Sequence, residues 1–188
     1  MSHKGFTLWF TGLSGAGKTT ISTNVANALK QRGCRVELLD GDAIRTYLSP
    51  GLGFSKPERD THLRRLGFVA HLLSRNDVIA IVATISPYQA IRDEIRAMTT
   101  YVEVYVKASL TQCEQRDVKG LYAKARAGEI KHFTGLDDPY EEPAAPEIIC
   151  NTEQESADES VAIVLSALEA LAYIPAAVTV DSGGIPVC

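Results

Sequence analysis

Residues 12–20, Gly-Leu-Ser-Gly-Ala-Gly-Lys-Thr-Thr, fit the spacing G-x-x-x-x-G-K-[ST] at Gly12, Gly17, Lys18 and Thr19, and that spacing constrains everything around it. Such a loop works only between a strand and a helix. Thr7-Leu8-Trp9-Phe10-Thr11 before it is β-branched and aromatic, while Ile21, Val25 and Leu29 after it recur one helical turn apart, so the sequence supplies both partners. Glycines at 12, 15 and 17 let the backbone take positive φ and close on a polyphosphate, with the N–H groups of Leu13, Ser14, Ala16 and Thr20 among those available to the anion. Lys18 then reaches the β and γ phosphates, and Thr19 offers a hydroxyl to Mg²⁺. A nucleoside triphosphate, ATP by default, is the expected ligand.

A length of 188 residues, with 45% hydrophobic and 22% charged, suits one domain with a sizeable core. The formal net charge of −4 argues against a general nucleic-acid binder, so the basic residues that matter are local to an anionic site. Residues 1–5 are short and polar and no apolar run is long enough to span a bilayer, which makes a cytoplasmic setting the expectation. Cys34, Cys113, Cys150 and Cys188 lie far apart with no C-x-x-C, the pattern of free thiols rather than of a zinc or redox site.

Along the chain, Gly33 caps the first helix and residues 35–39 form a second strand, the strand, helix, strand unit of a parallel sheet. That strand runs into a turn, Asp40-Gly41-Asp42, with two carboxylates at the strand's C-terminal end, where open α/β sheets hold their ligands. A loop at 51–55 leads to a helix from about Pro57 to about Arg75, with Arg59, Arg64 and Arg65 near its start. Residues 77–83 are almost continuously apolar and predict a central strand. Polar residues 84–88 follow, then a short helix carrying Arg92 and Arg96, a strand at 102–106 and a helix at 111–117.

Residues 116–143 turn polar and carry five basic side chains, Arg116, Lys119, Lys124, Arg126 and Lys131, punctuated by Gly120, Gly128 and Gly135. This predicts a lid that closes over phosphates. A strand at 147–150 and a helix opened by the capping box of Ser156 and Glu159 complete the fold, and 172–188 read as a loosely attached tail. The expected architecture is a single α/β domain over 1–171, with a central parallel sheet flanked by helices and a basic lid.

Laid out in this way, the chain closely resembles the adenylyl-sulfate kinases. The resemblance covers roughly residues 4–171. It rests on the phosphate loop, on Asp40-Gly41-Asp42 with Arg45, Gly51-Leu52-Gly53-Phe54-Ser55, Ile85-Ser86-Pro87-Tyr88, Arg116-Asp117-Val118-Lys119-Gly120-Leu121-Tyr122, Phe133-Thr134-Gly135 and Pro139-Tyr140-Glu141. It implies a P-loop kinase that moves the γ-phosphoryl group of MgATP to the 3′-hydroxyl of adenosine 5′-phosphosulfate (APS), giving 3′-phosphoadenosine 5′-phosphosulfate (PAPS) and ADP in sulfate assimilation. It also implies a homodimer and a functional pairing with ATP sulfurylase.

Residue by residue, the resemblance assigns Gly12, Leu13, Ser14, Gly15, Ala16, Gly17, Lys18, Thr19, Thr20 and Arg116 to ATP. Asp42, Arg45, Phe54, Arg59, His62, Ile85, Ser86, Lys119, His132 and Phe133 go to the acceptor. Thr19 and Asp42 go to the metal, and Lys18, Asp42 and Ser86 to the chemistry. Phe54 and Phe133 offer aromatic faces to adenine, and Arg45, Arg59 and Lys119 offer charge to a phosphosulfate.

Two chemistries fit Ser86, a phosphoserine intermediate or direct in-line transfer with Ser86 holding the substrate. Direct transfer is preferred because no neighbouring histidine or lysine activates the hydroxyl. Asp42 fits a general base or a metal-shell residue, while Asp40, nearer the strand, is better placed to hold the loop. The family usually has Asn where this chain has His62, and Arg where it has Gln89. On sequence alone, a kinase for a nucleoside monophosphate or a sugar acid also accounts for the loop, but not for the Phe54 and lid motifs. A silent nucleotide sensor would not need Lys18, Thr19 and Asp42 together.

Overall fold

Alternating side chains on short strands, the three central ones almost wholly buried, generate two apolar layers, one on each face of a parallel sheet. The computed structural model describes residues 4–176. In order it contains β1 (Thr7–Thr11), α1 (Lys18–Gln31), β2 (Val36–Asp40), α2 (Gly41–Leu48), α3 (Lys56–Ser74), β3 (Ile79–Ala83), α4 (Gln89–Arg96), β4 (Tyr101–Lys107), α5 (Leu110–Arg116), α6 (Leu121–Arg126), β5 (Ile148–Asn151) and α7 (Ala157–Ala170). The strands are all parallel in the order β2-β3-β1-β4-β5. In this register Phe10 on β1 lies beside Ala83 on β3 and Val104 on β4.

On one face Leu8, Phe10, Ile81 and Val104 pack with Ile21, Val25 and Leu29 of α1 and with Val164 and Leu168 of α7. On the other, Trp9, Ala80 and Val82 meet Leu63, Leu66 and Ala70 of α3 and Ile91 and Ile95 of α4. Because β1 sits between β3 and β4, the loops leaving β1, β2 and β3 open on one edge of the sheet, where such folds bind their ligands. Among the described residues, no helix is long and apolar enough to cross a membrane.

One expectation needs correcting, and two details add to the sequence reading. Residues 40–42 are not a free turn: Asp40 is the N-cap of α2, its carboxylate accepting from the N–H groups of Asp42 (3.1 Å) and Ala43 (3.2 Å). The 116–143 segment, expected to form a lid, has structure of its own. It contains α6 and is pinned by buried Tyr122 and Phe133, which meet edge to face at 4.9 Å. The packed body also runs past residue 171, since Ile174 is buried and Tyr173 lies 4.8 Å from Phe6, ring centre to ring centre. Most of the expected tail, 177–188 with Cys188, lies outside the described residues. Cys34, Cys113 and Cys150 are buried free thiols.

Candidate active site

The phosphate loop runs from the C-terminal end of β1 into α1. Gly12 has φ 150°, and a Cβ there would stand 2.4 Å from the Val106 carbonyl, so no other residue fits between β1 and β4 at this point. Gly17, with φ 108°, is the N-cap of α1 and offers no side chain to the first-turn N–H groups. No acidic residue occupies that turn either, which leaves the positive end of the helix to an anion. The Lys18 ammonium donates to the carbonyls of Gly12 (2.9 Å) and Leu13 (2.7 Å). Burial lowers its pKa to about 8, partly offset by Cys113, Asp42 and Asp40, so an anionic partner would be taken up readily.

Beside this loop, at the exit of β2, stand the two carboxylates. Asp40 caps α2 with one oxygen and accepts from the Thr19 hydroxyl with the other at 3.3 Å. Asp42 projects into solvent and pairs with Lys119 Nζ at 2.6 Å, tying the base of the lid to the start of α2. That bond raises the pKa of Lys119. Thr19 and the carboxylates are hard oxygen donors of the kind Mg²⁺ takes alongside substrate phosphates. Among the described residues, no group of three or more His, Cys, Asp or Glu could by itself hold a metal ion.

The opposite wall is built from α2, α3, the β3 exit and the lid. Phe54 is half exposed, with the guanidinium of Arg45 4.5 Å and that of Arg59 5.4 Å from its ring centre. Arg45 donates to the Gly53 and Leu52 carbonyls, and Arg59 to Phe54 O (2.7 Å) and His132 O (2.5 Å). Glu58, accepting from the N–H groups of Gly53 and Ser55, both shapes this loop and starts α3 as a capping box.

His62 is buried; its Nδ1 lies 2.9 Å from Ser49 Oγ, and the Gly41 carbonyl is a further partner. Burial, helped by Arg45, pushes its pKa down to about 4. Ser86 has φ 46° and is buried, its hydroxyl accepting from Trp9 Nε1 at 2.8 Å.

These walls enclose a cavity of about 650 Å³. Of the residues singled out from sequence, Ser14, Gly15, Gly17, Lys18, Thr19, Thr20, Asp42, Arg45, Phe54, Arg59, His62, Ile85, Ser86, Lys119, His132 and Phe133 line it. Gly12, Leu13, Ala16 and Arg116 do not. Arg116 lies behind the loop, donating to the carbonyls of Gly15, Ala16 and Thr152 and to the Thr152 hydroxyl. Sequence reasoning passed over Trp9, and over Tyr122, whose hydroxyl donates to Ser14 O at 3.0 Å. Both are core residues by pattern, and only their polar tips reach the site.

A family model described as adenylylsulphate kinase matches residues 4–151. An adenylyl-sulfate kinase of a Picosynechococcus species is 58% identical over 175 residues, covering 93% of this chain and 99% of that one. A probable bifunctional SAT/APS kinase of Sorangium cellulosum is 54% identical over 172 residues, 91% of this chain but 30% of its own. The solved Mycobacterium tuberculosis APS kinase CysC in complex with AMPPNP and APS superposes with a TM-score of 0.86. It is 42% identical, covering 89% of this chain and 99% of that one.

Proposed function

This chain belongs to the adenylylsulphate kinase family, and from that premise we infer how its cavity carries out the family's reaction. The enzyme transfers the γ-phosphoryl group of ATP to APS, forming PAPS and ADP. In the reading offered here a single domain does this. Residues 12–20 and Lys18 hold the triphosphate, with Arg116 bracing the loop from behind. The second half of the cavity, from Arg45 and Phe54 to Phe133, holds the acceptor. One observation carries the assignment: the phosphate loop and the family's acceptor positions face each other across one cavity of about 650 Å³.

A ribose hydroxyl is a poor nucleophile at neutral pH, so a carboxylate that orients it and takes its proton late in a loose transition state accelerates transfer. Asp42 is assigned that task. The phosphosulfate competes for Lys119, and the carboxylate released from its 2.6 Å ion pair turns to the 3′-hydroxyl. Lys18 meets the charge that develops on the transferring oxygens. Thr19 and Asp42 would hold Mg²⁺ together with the nucleotide, and the metal would supply positive charge to the phosphates; the contact of Thr19 with Asp40 makes Asp40 a second candidate beside Asp42. Phosphoryl transfer is direct. The bond from Trp9 to Ser86 Oγ and the burial of Ser86 support a holding role for that residue.

A cytosolic setting, where ATP is held, belongs to the same reading, as do a homodimer and pairing with ATP sulfurylase. The Sorangium relative's name as a bifunctional SAT/APS kinase supports the pairing. ADP release measured over a panel of APS, nucleoside monophosphates and sugar acids tests the assignment. Turnover with APS alone is expected; a preference for another acceptor would overturn it.

A further inference from the structure

Arg92 is completely buried, far from the surface where an unassigned arginine usually ends up. Its guanidinium donates to three oxygens drawn from three places: the Ser86 carbonyl at 2.6 Å, the Gln89 side-chain oxygen at 2.7 Å and the Glu141 carbonyl at 2.7 Å. Glu103 on β4, equally buried, supplies the countercharge; its Oε1 lies 3.3 Å from Arg92 Nε without the alignment of a hydrogen bond. A buried ion pair is a poor device for stability alone, because desolvating both charges offsets most of their attraction. The position of its donors is the informative feature.

Ser86 stands on the cavity wall with φ 46°, a conformation unfavourable outside glycine that persists only where the surroundings over-determine it. Glu141 stands at the C-terminal end of the lid segment. Besides giving its carbonyl to Arg92, it donates its N–H to Pro87 O at 2.8 Å and accepts the Gln89 N–H on its carboxylate at 2.6 Å. The lid end and the acceptor-side loop are therefore stitched to each other at three points just after Ser86, at Pro87, Gln89 and Arg92. Gln89 is suited to its place by its two-sided amide, whose oxygen accepts from Arg92 while its Nε2 donates to Asp93 at 2.7 Å. An arginine or lysine there offers no acceptor.

We propose that Arg92 and Gln89 form a positioning node that locks the C-terminal end of the lid to Ser86, and so fixes the acceptor half of the cavity without touching either substrate. This rests on the reading of that half as the APS site. The node lies at the β3 exit, and Thr11 and Gly12, where the phosphate loop begins, bond to the Ile85 and Ser86 carbonyls rather than to Arg92 or Gln89. Its loss displaces the acceptor relative to the γ-phosphate and leaves the nucleotide in place.

The test is steady-state kinetics of Arg92→Lys and Gln89→Ala beside the parent, with each substrate varied in turn and the fold checked by thermal melting. Lysine keeps the charge but cannot fork to three oxygens. Arg92→Lys is expected to raise the KM for APS about fivefold or more and to lower kcat about tenfold to a hundredfold, the usual cost of a misplaced reactant, with the KM for ATP within about twofold. Gln89→Ala, at a half-exposed helix start where folding is not at stake, is expected to raise the KM for APS about threefold, as for one lost hydrogen bond. A folded variant of either kind with a parental KM for APS would overturn the proposal, as would a KM for ATP rising as much as that for APS. If Arg92→Lys does not fold, Gln89→Ala decides alone. Failure of the parent to turn over APS would count against the reading of the site instead.

Discussion

Replacing Asp42 by Asn should separate catalysis from stability, and the geometry sets the scale of each. The pair that Asp42 forms with Lys119 is short, 2.6 Å, but the two side chains are 79% and 58% exposed. Exposed pairs of this kind are worth about 0–1 kcal/mol, so the melting temperature should fall by no more than about 2–4 °C. If Asp42 is the base, kcat should fall by about 10² to 10⁴, equivalent to about 2.7–5.5 kcal/mol of barrier, several times larger than the stability change. Differential scanning fluorimetry and initial rates at saturating ATP and APS measure both.

Asp40→Asn is the control. That residue caps α2 and accepts from Thr19; asparagine keeps a capping oxygen and caps about as well as aspartate, so its replacement should leave the fold intact and kcat close to parental. Near-parental kcat in Asp42→Asn, or a larger loss in a fully folded Asp40→Asn, would refute the assignment. A rise in the Mg²⁺ requirement of Asp42→Asn together with the rate loss would move Asp42 from base to metal shell.

Lys18→Ala should lose turnover almost entirely with its fold intact, and activity within about tenfold of the parent in the ADP-release assay would contradict the role given to it. Because burial lowers the Lys18 pKa to about 8 and a bound triphosphate raises it, ATP binding above about pH 8 should take up a proton, detected by calorimetry in buffers of different ionisation heat. His62 carries a folded pKa of about 4 against about 6.5 when unfolded, so the unfolded chain binds the extra proton between these values. Stability due to His62 is present above about pH 6.5 and is lost as pH falls toward 4; in His62→Asn the acid dependence of denaturant midpoints over that window should flatten. ATP with APS should protect residues 116–143 from proteolysis, and equal cleavage of free and bound protein would make that segment a static surface.

The sheet was legible because strand residues such as Leu8, Phe10, Ile79 and Ile81 report their burial through local apolar pattern, and the phosphate loop because its glycines and Lys18 fall at fixed spacing. Helix α2 was not, since an Asp-Gly pair carries turn statistics that mask Asp40 as a cap. The Ser55 and Glu58 box was equally local and went unread beside the more conspicuous Pro57. Arg92 lies beyond any local reading. As the first arginine of a short helix it has the signature of a solvated face, and only the distant Glu103 and Glu141 make its burial tolerable. Tyr173 and Ile174 follow a helix and precede a proline, which reads as a chain end; the hydrophobic face that receives them includes Phe6, on the opposite end of the sequence.

Single-turnover transfer from ATP labelled in the γ-phosphoryl group, quenched with and without APS, tests the central claim most directly. The account predicts that label leaves ATP only when APS is present, and appears as the 3′-phosphate of PAPS with none retained on the protein. Label held on Ser86 ahead of product, or release independent of APS, would contradict it.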